Sequence, residues 1–353
     1  MQYENKFIVN CCKYLQPDCD ILSDLYSKNL DLIYILGQLL YNRVGGIAYH
    51  VLEKSTLVKQ LNREFKNTLK AIYENNIIKN ESFKKSLDFL GGIFSEIDFP
   101  YALLKGSYLS SLYLPGMRTS NDIDVLINFK NISEISRLLL NNGFVQGYIR
   151  NNEILAATRA QIVSSQMNRG ETVPFIKEVN YPQMKFLEID INISLDFKPE
   201  KDHAIVEKFL ENANANIKTN NGNLNTLEKD DFLIHLCTHL YKEATVYNWV
   251  EFGRDQGLYK YLDIYLILNR FENIINYKKI NKLGLQKECF YAFNGINKLF
   301  DMNISLDKID IDNLNFLNTI TDVTNKKVYK YDMDFIDWIF YAKRKEILHE
   351  IKI

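Results

Sequence analysis

Apolar positions change period twice along this chain, from helical to alternating and back. Over residues 20–41, 46–72 and 82–97 apolar side chains return every three or four positions, the spacing of amphipathic helices, so residues 1–97 are expected to form an N-terminal helical region. Residues 98–198 alternate instead. Strands are predicted at 100–105, 122–128, 144–149, 174–180 and 185–195, with helices at 107–114, 131–141 and 152–168. The last two strands meet across Tyr181-Pro182-Gln183, as in an antiparallel hairpin. Helical spacing then resumes over residues 199–353, with helices expected in the run DDFLIHLCTHLYKEA and at 257–269, 275–300 and 333–351.

The junctions carry the chemistry. An apolar stretch ends in Lys105-Gly106-Ser107, where a strand is expected to turn into a helix, and backbone N–H groups at such a turn favour phosphate. Asp122-Ile123-Asp124 then opens the next strand. Residues two apart on a strand share a face, so the two carboxylates stand about 6–7 Å apart. Like charges held that close repel unless a cation lies between them. Oxygen-only ligands suit Mg²⁺, which commonly takes one or two protein carboxylates together with phosphate oxygens. A nucleoside triphosphate site follows, with phosphates near Ser107 and metal at Asp122 and Asp124.

This order of motifs resembles the nucleotidyltransferase superfamily related to DNA polymerase β. Lys105, Gly106, Leu109, Arg118, Asp122, Ile123 and Asp124 bring it closest to the family known as uncharacterised nucleotidyltransferases. The resemblance implies an α+β fold: a polymerase β-like mixed or antiparallel sheet between N- and C-terminal helical regions, with a catalytic module at 98–198 and a C-terminal helical domain at 199–353. It also implies a third carboxylate on a later strand. Residues 185–195 read KFLEIDINISL, placing Phe186, Glu188, Asp190, Asn192 and Ser194 on one face. Asp190 matches the expected acid, Glu188 on the same face is the alternative, and Asn192 stands where a histidine is usual. Fourteen residues separate Ser107 from Asp122, a longer gap than usual, which the Leu114-Pro115-Gly116 turn absorbs.

By the same resemblance Asp122, Asp124 and Asp190 are the catalytic acids. They would hold two Mg²⁺ ions (or Mn²⁺) about 3.5–4 Å apart beside the triphosphate. Gly106, Ser107, Lys105, Arg118 and, from the C-terminal helices, Lys260 would contact the nucleotide, with ATP the default. Ser120, like Arg118, would touch phosphates or brace the loop before the acidic pair. The implied reaction moves a nucleoside monophosphate onto a small-molecule or biosynthetic acceptor and releases pyrophosphate. Its rivals are a toxin-like enzyme acting on tRNA or protein and a member that binds nucleotide without turnover.

Composition narrows these alternatives only slightly. The chain has 353 residues, 46% of them apolar, enough for one large or two moderate domains. Its net charge of −1 offers no general basic field for nucleic acid. Lys54, Lys59, Arg63, Lys66 and Lys70 repeat along one predicted helix and read as a solvated face, with an acceptor-binding surface as the alternative. Five cysteines, Cys11, Cys12, Cys19, Cys237 and Cys289, show neither disulfide nor zinc spacing, and the N-terminus lacks a secretory signal, so a cytoplasmic location is expected. His235 and His239 share a helix face without a third ligand nearby; packing or acceptor contact is the expected role rather than zinc. Tyr247 and Trp249 are expected to pack in a core, with base stacking as the alternative.

Overall fold

The structure, a computed structural model, describes residues 2–195 and 203–351. In chain order it runs α1 (Tyr3–Asn10), α2 (Cys19–Tyr26), α3 (Leu32–Tyr41), α4 (Gly45–Lys54), α5 (Arg63–Phe94), β1 (Tyr101–Leu103), α6 (Gly106–Leu109), β2 (Asp122–Ile127) and α7 (Ile132–Asn141). There follow β3 (Val145–Arg150), β4 (Glu153–Ala156), α8 (Arg159–Arg169), β5 (Phe175–Tyr181), β6 (Met184–Asn192), α9 (His203–Glu211), β7 (Ala215–Thr219) and β8 (Gly222–Thr226). The C-terminal elements are α10 (Lys229–Thr245), α11 (Tyr247–Glu251), α12 (Leu258–Arg270), α13 (Tyr277–Leu283), α14 (Gln286–Phe300), β9 (Thr319–Asp322), β10 (Lys327–Lys330), α15 (Phe335–Phe340) and β11 (His349–Ile351). The chain divides into two compact units, Met1–Tyr73 with Leu233–Ile353, and Glu74–Phe232.

In the Glu74–Phe232 unit the described strands form one mixed sheet of order β4-β3-β5-β6-β2-β1-β8-β7. The β2–β6 and β1–β8 pairs are parallel and the others antiparallel, which gives the expected α+β class. One face of this sheet is apolar because the odd-numbered positions of β2, and those of β6 from Leu187 onward, point there. Ile123, Val125, Ile127, Leu187, Ile189 and Ile191 are fully buried among Phe83, Leu87 and Leu90 of α5 and Ile135 and Leu139 of α7. Period-2 alternation then obliges the intervening residues, the acids among them, to face the other way.

Several sequence expectations are corrected in detail. The helix expected at 152–168 begins as strand β4, because Asn151 and Asn152, at φ 49° and 64°, form a tight hairpin turn that pairs Arg150 with Glu153. Thr158 then caps α8 through a reciprocal box with Gln161. The helices expected at 46–72 and 82–97 become α4 and the single 32-residue α5. The helix expected at 333–351 stops at Phe340, where Arg344 takes the carbonyls of Trp338 and Ile339. The boundary drawn at 198/199 lies outside the described residues, and beyond it β7 and β8, within a stretch read as helical, extend the sheet through β1.

The other unit is mainly helical, with a small sheet of order β11-β10-β9. Its centre holds a buried polar knot. Arg344 and Asp255 form an ion pair, Trp338 Nε1 donates to Asp255 Oδ2 at 2.9 Å, and Arg344 also donates to the Gln256 carbonyl at 3.1 Å. Fully partnered, such a pair tolerates burial. Among the described residues no helix is long and apolar enough to cross a membrane.

Because the acids depend on the apolar face beneath them, Ile189→Ala should cost about 2–5 kcal/mol of stability in denaturant unfolding. A loss within about 0.5 kcal/mol, the range of a surface substitution, would contradict this placement of β6.

Candidate active site

Parallel pairing of β2 with β6 sets Asp122 opposite Glu188, Asp124 opposite Asp190 and Leu126 opposite Asn192. Neighbouring strands lie about 4.8 Å apart, and same-face residues on one strand about 6–7 Å. Four carboxylates therefore occupy the corners of one small patch, on the face opposite the isoleucines. Glu171, joined to Asn192 by a single β-bridge, adds a fifth negative group near Asp190 and is paired with Arg169 at 2.7 Å.

Burial and crowding act on these acids in the same direction. Burial, then the neighbouring Asp124 and Asp122, push the Asp190 carboxyl well above the ordinary aspartate range. Burial and then Asp124 raise Asp122, while Lys105 and Arg118 pull it part of the way back. Glu188 is raised by burial and by both aspartates of β2. A patch of this kind has the electrostatic character of a site built to accept positive charge.

Part of that charge comes from the chain itself. Lys105 Nζ lies 2.8 Å from Asp124 Oδ1, and Asn192 Nδ2 donates to the same oxygen at 3.2 Å. Lys105 occupies the second position of a tight turn closed by the Ser107 amide donating to the Leu104 carbonyl at 3.2 Å. Its φ of 42° and ψ of −118° belong to the first central residue of a type II′ turn, a place normally given to glycine. Holding a lysine there costs on the order of 1–3 kcal/mol. Gly106 is needed for another reason: a Cβ at that position would lie 2.0 Å from Ser120 Oγ and 2.6 Å from Ser120 Cβ. This close approach brings the loop before Asp122 back against the turn.

The same loop is tied to α5. Asn76 Nδ2 donates to the Gly116 carbonyl at 3.0 Å, Asn80 Nδ2 to the Arg118 carbonyl at 2.7 Å, and Gly116 N–H to Asn80 Oδ1 at 2.9 Å. Sequence reasoning missed these tethers, because an asparagine on a long polar helix carries no mark of its distant partner. It also missed Glu171 and left Asn192 without a role, although its place two residues beyond Asp190 put it on the acidic face.

The structure thus brings Asp122, Asp124, Asp190, Glu188, Lys105 and Arg118 together, with Gly106 and Ser107 on the adjoining turn. Ser107 is fully buried, and its hydroxyl has no hydrogen-bond partner among the described residues. Lys260 is placed differently. It belongs to the other unit, where its ammonium pairs with Glu243 and donates to the carbonyls of Arg254 and Asp255 at 2.7 and 2.6 Å. His235 and His239 stack with ring centroids 6.3 Å apart, and His239 lies 3.4 Å from Glu243. Tyr247 stacks on Tyr329 in a core cluster, the packing role expected of it. Among the described residues no three His, Cys, Asp or Glu side chains close around a common point as a metal cage would. Lys105 and Asn192 hold the Asp124 carboxylate instead.

One solved structure, an antigenic nucleotidyltransferase-like protein from Paracoccidioides brasiliensis, aligns with 67% of this chain and 96% of that one at 13% identity, with a TM-score of 0.41, a likeness too slight to build on. Comparison with curated proteins gives no significant match. The family described as uncharacterised nucleotidyltransferase matches residues 32–301, about three quarters of the sequence. The chain belongs to that nucleotidyltransferase family.

Proposed function

We propose that this nucleotidyltransferase moves a nucleoside monophosphate, AMP by default, from a nucleoside triphosphate to a hydroxyl of a small molecule or biosynthetic intermediate. The observation that carries the reading is the β2–β6 register, which sets Asp124 directly beside Asp190 and Asp122 beside Glu188. Oxygen-only donors with elevated proton affinity fit a hard divalent cation, Mg²⁺ before others. Asp122, Asp124 and Asp190 are assigned as its ligands. When bound, such ions offset the charge of the triphosphate and make the acceptor hydroxyl more acidic.

The remaining work falls to side chains. The acceptor oxygen forms a bond to the α-phosphorus while the bond from that phosphorus to the pyrophosphate oxygen breaks. Asp190 takes the acceptor proton on a carboxylate oxygen not engaged by an ion. Arg118 and Lys105 are assigned to offset the departing negative charge. The unpartnered Ser107 hydroxyl and the Lys105–Gly106 turn suit the terminal phosphates. Catalysis then rests mainly on positioning and charge neutralisation. Lys260 is left out of this assignment because its ammonium is engaged within its own unit.

Incubation with Mg²⁺, each α-labelled triphosphate and a cell extract should yield a labelled small product. Asp122→Asn and Asp124→Asn should each lower its rate on the order of 10³-fold, about 4 kcal/mol in the barrier, with folding intact. Near-normal activity in either variant would overturn the assignment. Label found in RNA or protein would move the acceptor to the macromolecular class, and bound nucleotide without transfer would leave a binding protein.

A second prediction concerns pH. The Asp190 carboxyl is raised in the folded protein above its unfolded value of about 3.9, so its contribution to stability is fully present below that value. The contribution is lost as pH rises through the folded value. In chelator, Asp190→Asn should therefore gain stability relative to the parent protein as pH rises from 4 to 8, read as the difference in Tm. A gap that narrows with pH would contradict the burial and crowding assigned to this group.

A further inference from the structure

Lys105 sits in two roles at once. Its backbone forms the turn beside Ser107, where the phosphates are assigned, while its ammonium lies 2.8 Å from Asp124, where the cation is assigned. A single flexible stem spans both places, and only side-chain torsions separate them, because the Leu104–Ser107 turn fixes the point from which the stem starts. Asn192 contacts the same Asp124 oxygen at 3.2 Å and so keeps that carboxylate oriented if the ammonium leaves. A lysine ammonium and a divalent cation cannot share one carboxylate oxygen without strong repulsion.

We infer that Lys105 is a resident counter-ion that is exchanged during loading: its ammonium neutralises Asp124 in the unliganded protein, yields that carboxylate to the incoming divalent cation, and then pairs with the triphosphate. The inference rests on the assignment of Asp122 and Asp124 to the cation and adds an order of loading to it. Lys105 competes with the cation when nucleotide is absent and supports it when nucleotide is present. The patch is thereby protected from the full repulsion of its own acids between turnovers, and the turn beside Ser107 gains its positive charge only once the cation is in place.

Two measurements on the full chain test this. Mn²⁺ titration without nucleotide, counting free ion by electron paramagnetic resonance, should show about tenfold tighter binding in Lys105→Met than in the parent protein, with Lys105→Arg close to the parent. With ATP present the order should reverse, Lys105→Met binding nucleotide more weakly. In the unsubstituted protein, acetylation of Lys105 followed by mass spectrometry should speed up several-fold when Mg²⁺ is added alone and slow again when ATP follows. This second readout serves if the Met variant fails to fold. Equal Mn²⁺ affinity in parent and Lys105→Met, or acetylation indifferent to Mg²⁺, would overturn the exchange while leaving the cation site standing. An absence of Mn²⁺ binding in both proteins would overturn the exchange and the cation assignment together.

Discussion

Mutual repulsion among carboxylates pinned by strand register is the constraint around which the Glu74–Phe232 unit is arranged. Asp122, Asp124, Glu188 and Asp190 cannot spread apart, because the isoleucines between them are locked into the core beneath α5 and α7. A slip of one residue between β2 and β6 would turn the isoleucines outward and the acids inward, so hydrophobic burial enforces the crowding. The energy stored in that crowding is what a cation would relieve. A patch costly to the empty protein is, for the same reason, receptive to positive charge.

The parts around the patch hold it in place and compensate it. Gly106 lets the loop at Ser120 approach the turn, and Asn76 and Asn80 fasten the same loop to α5. Lys105 is held in a backbone conformation that its side chain does not favour, and its ion pair with Asp124 joins the strained turn to the acidic strand. Turn, loop and strand are thus coupled through a few short contacts. A change at any of them would be felt at the acids.

The acidic face was legible because alternation is a local property. KFLEIDINISL and DIDVLI each declare one apolar and one polar side, and a shared sheet was enough to bring the polar sides together. The family was legible for a related reason, since the motif from Lys105 to Asp124 is nearly contiguous. What escaped notice depends on distant partners or on asparagine's tolerance of left-handed backbone. Asn151 and Asn152 turn the chain into β4 where a helix was expected, and Asn180 and Asn303 also take positive φ. In a chain so rich in asparagine, these turn signals stood out little. The strands β7 and β8 were missed because their short, polar alternation resembles loop, and only pairing through β1 gives them a reason to extend. Lys260 looked available on an apolar helix; its burial against Glu243 and two carbonyls could not be read from spacing.

The most direct test of the account is crystallography of the protein with Mn²⁺ and a non-hydrolysable ATP analogue, locating manganese by its anomalous signal. The account predicts manganese within bonding distance of carboxylate oxygens of Asp122, Asp124 and Asp190, with phosphate oxygens completing the shell beside Ser107. Manganese and nucleotide seated away from these three carboxylates would contradict it.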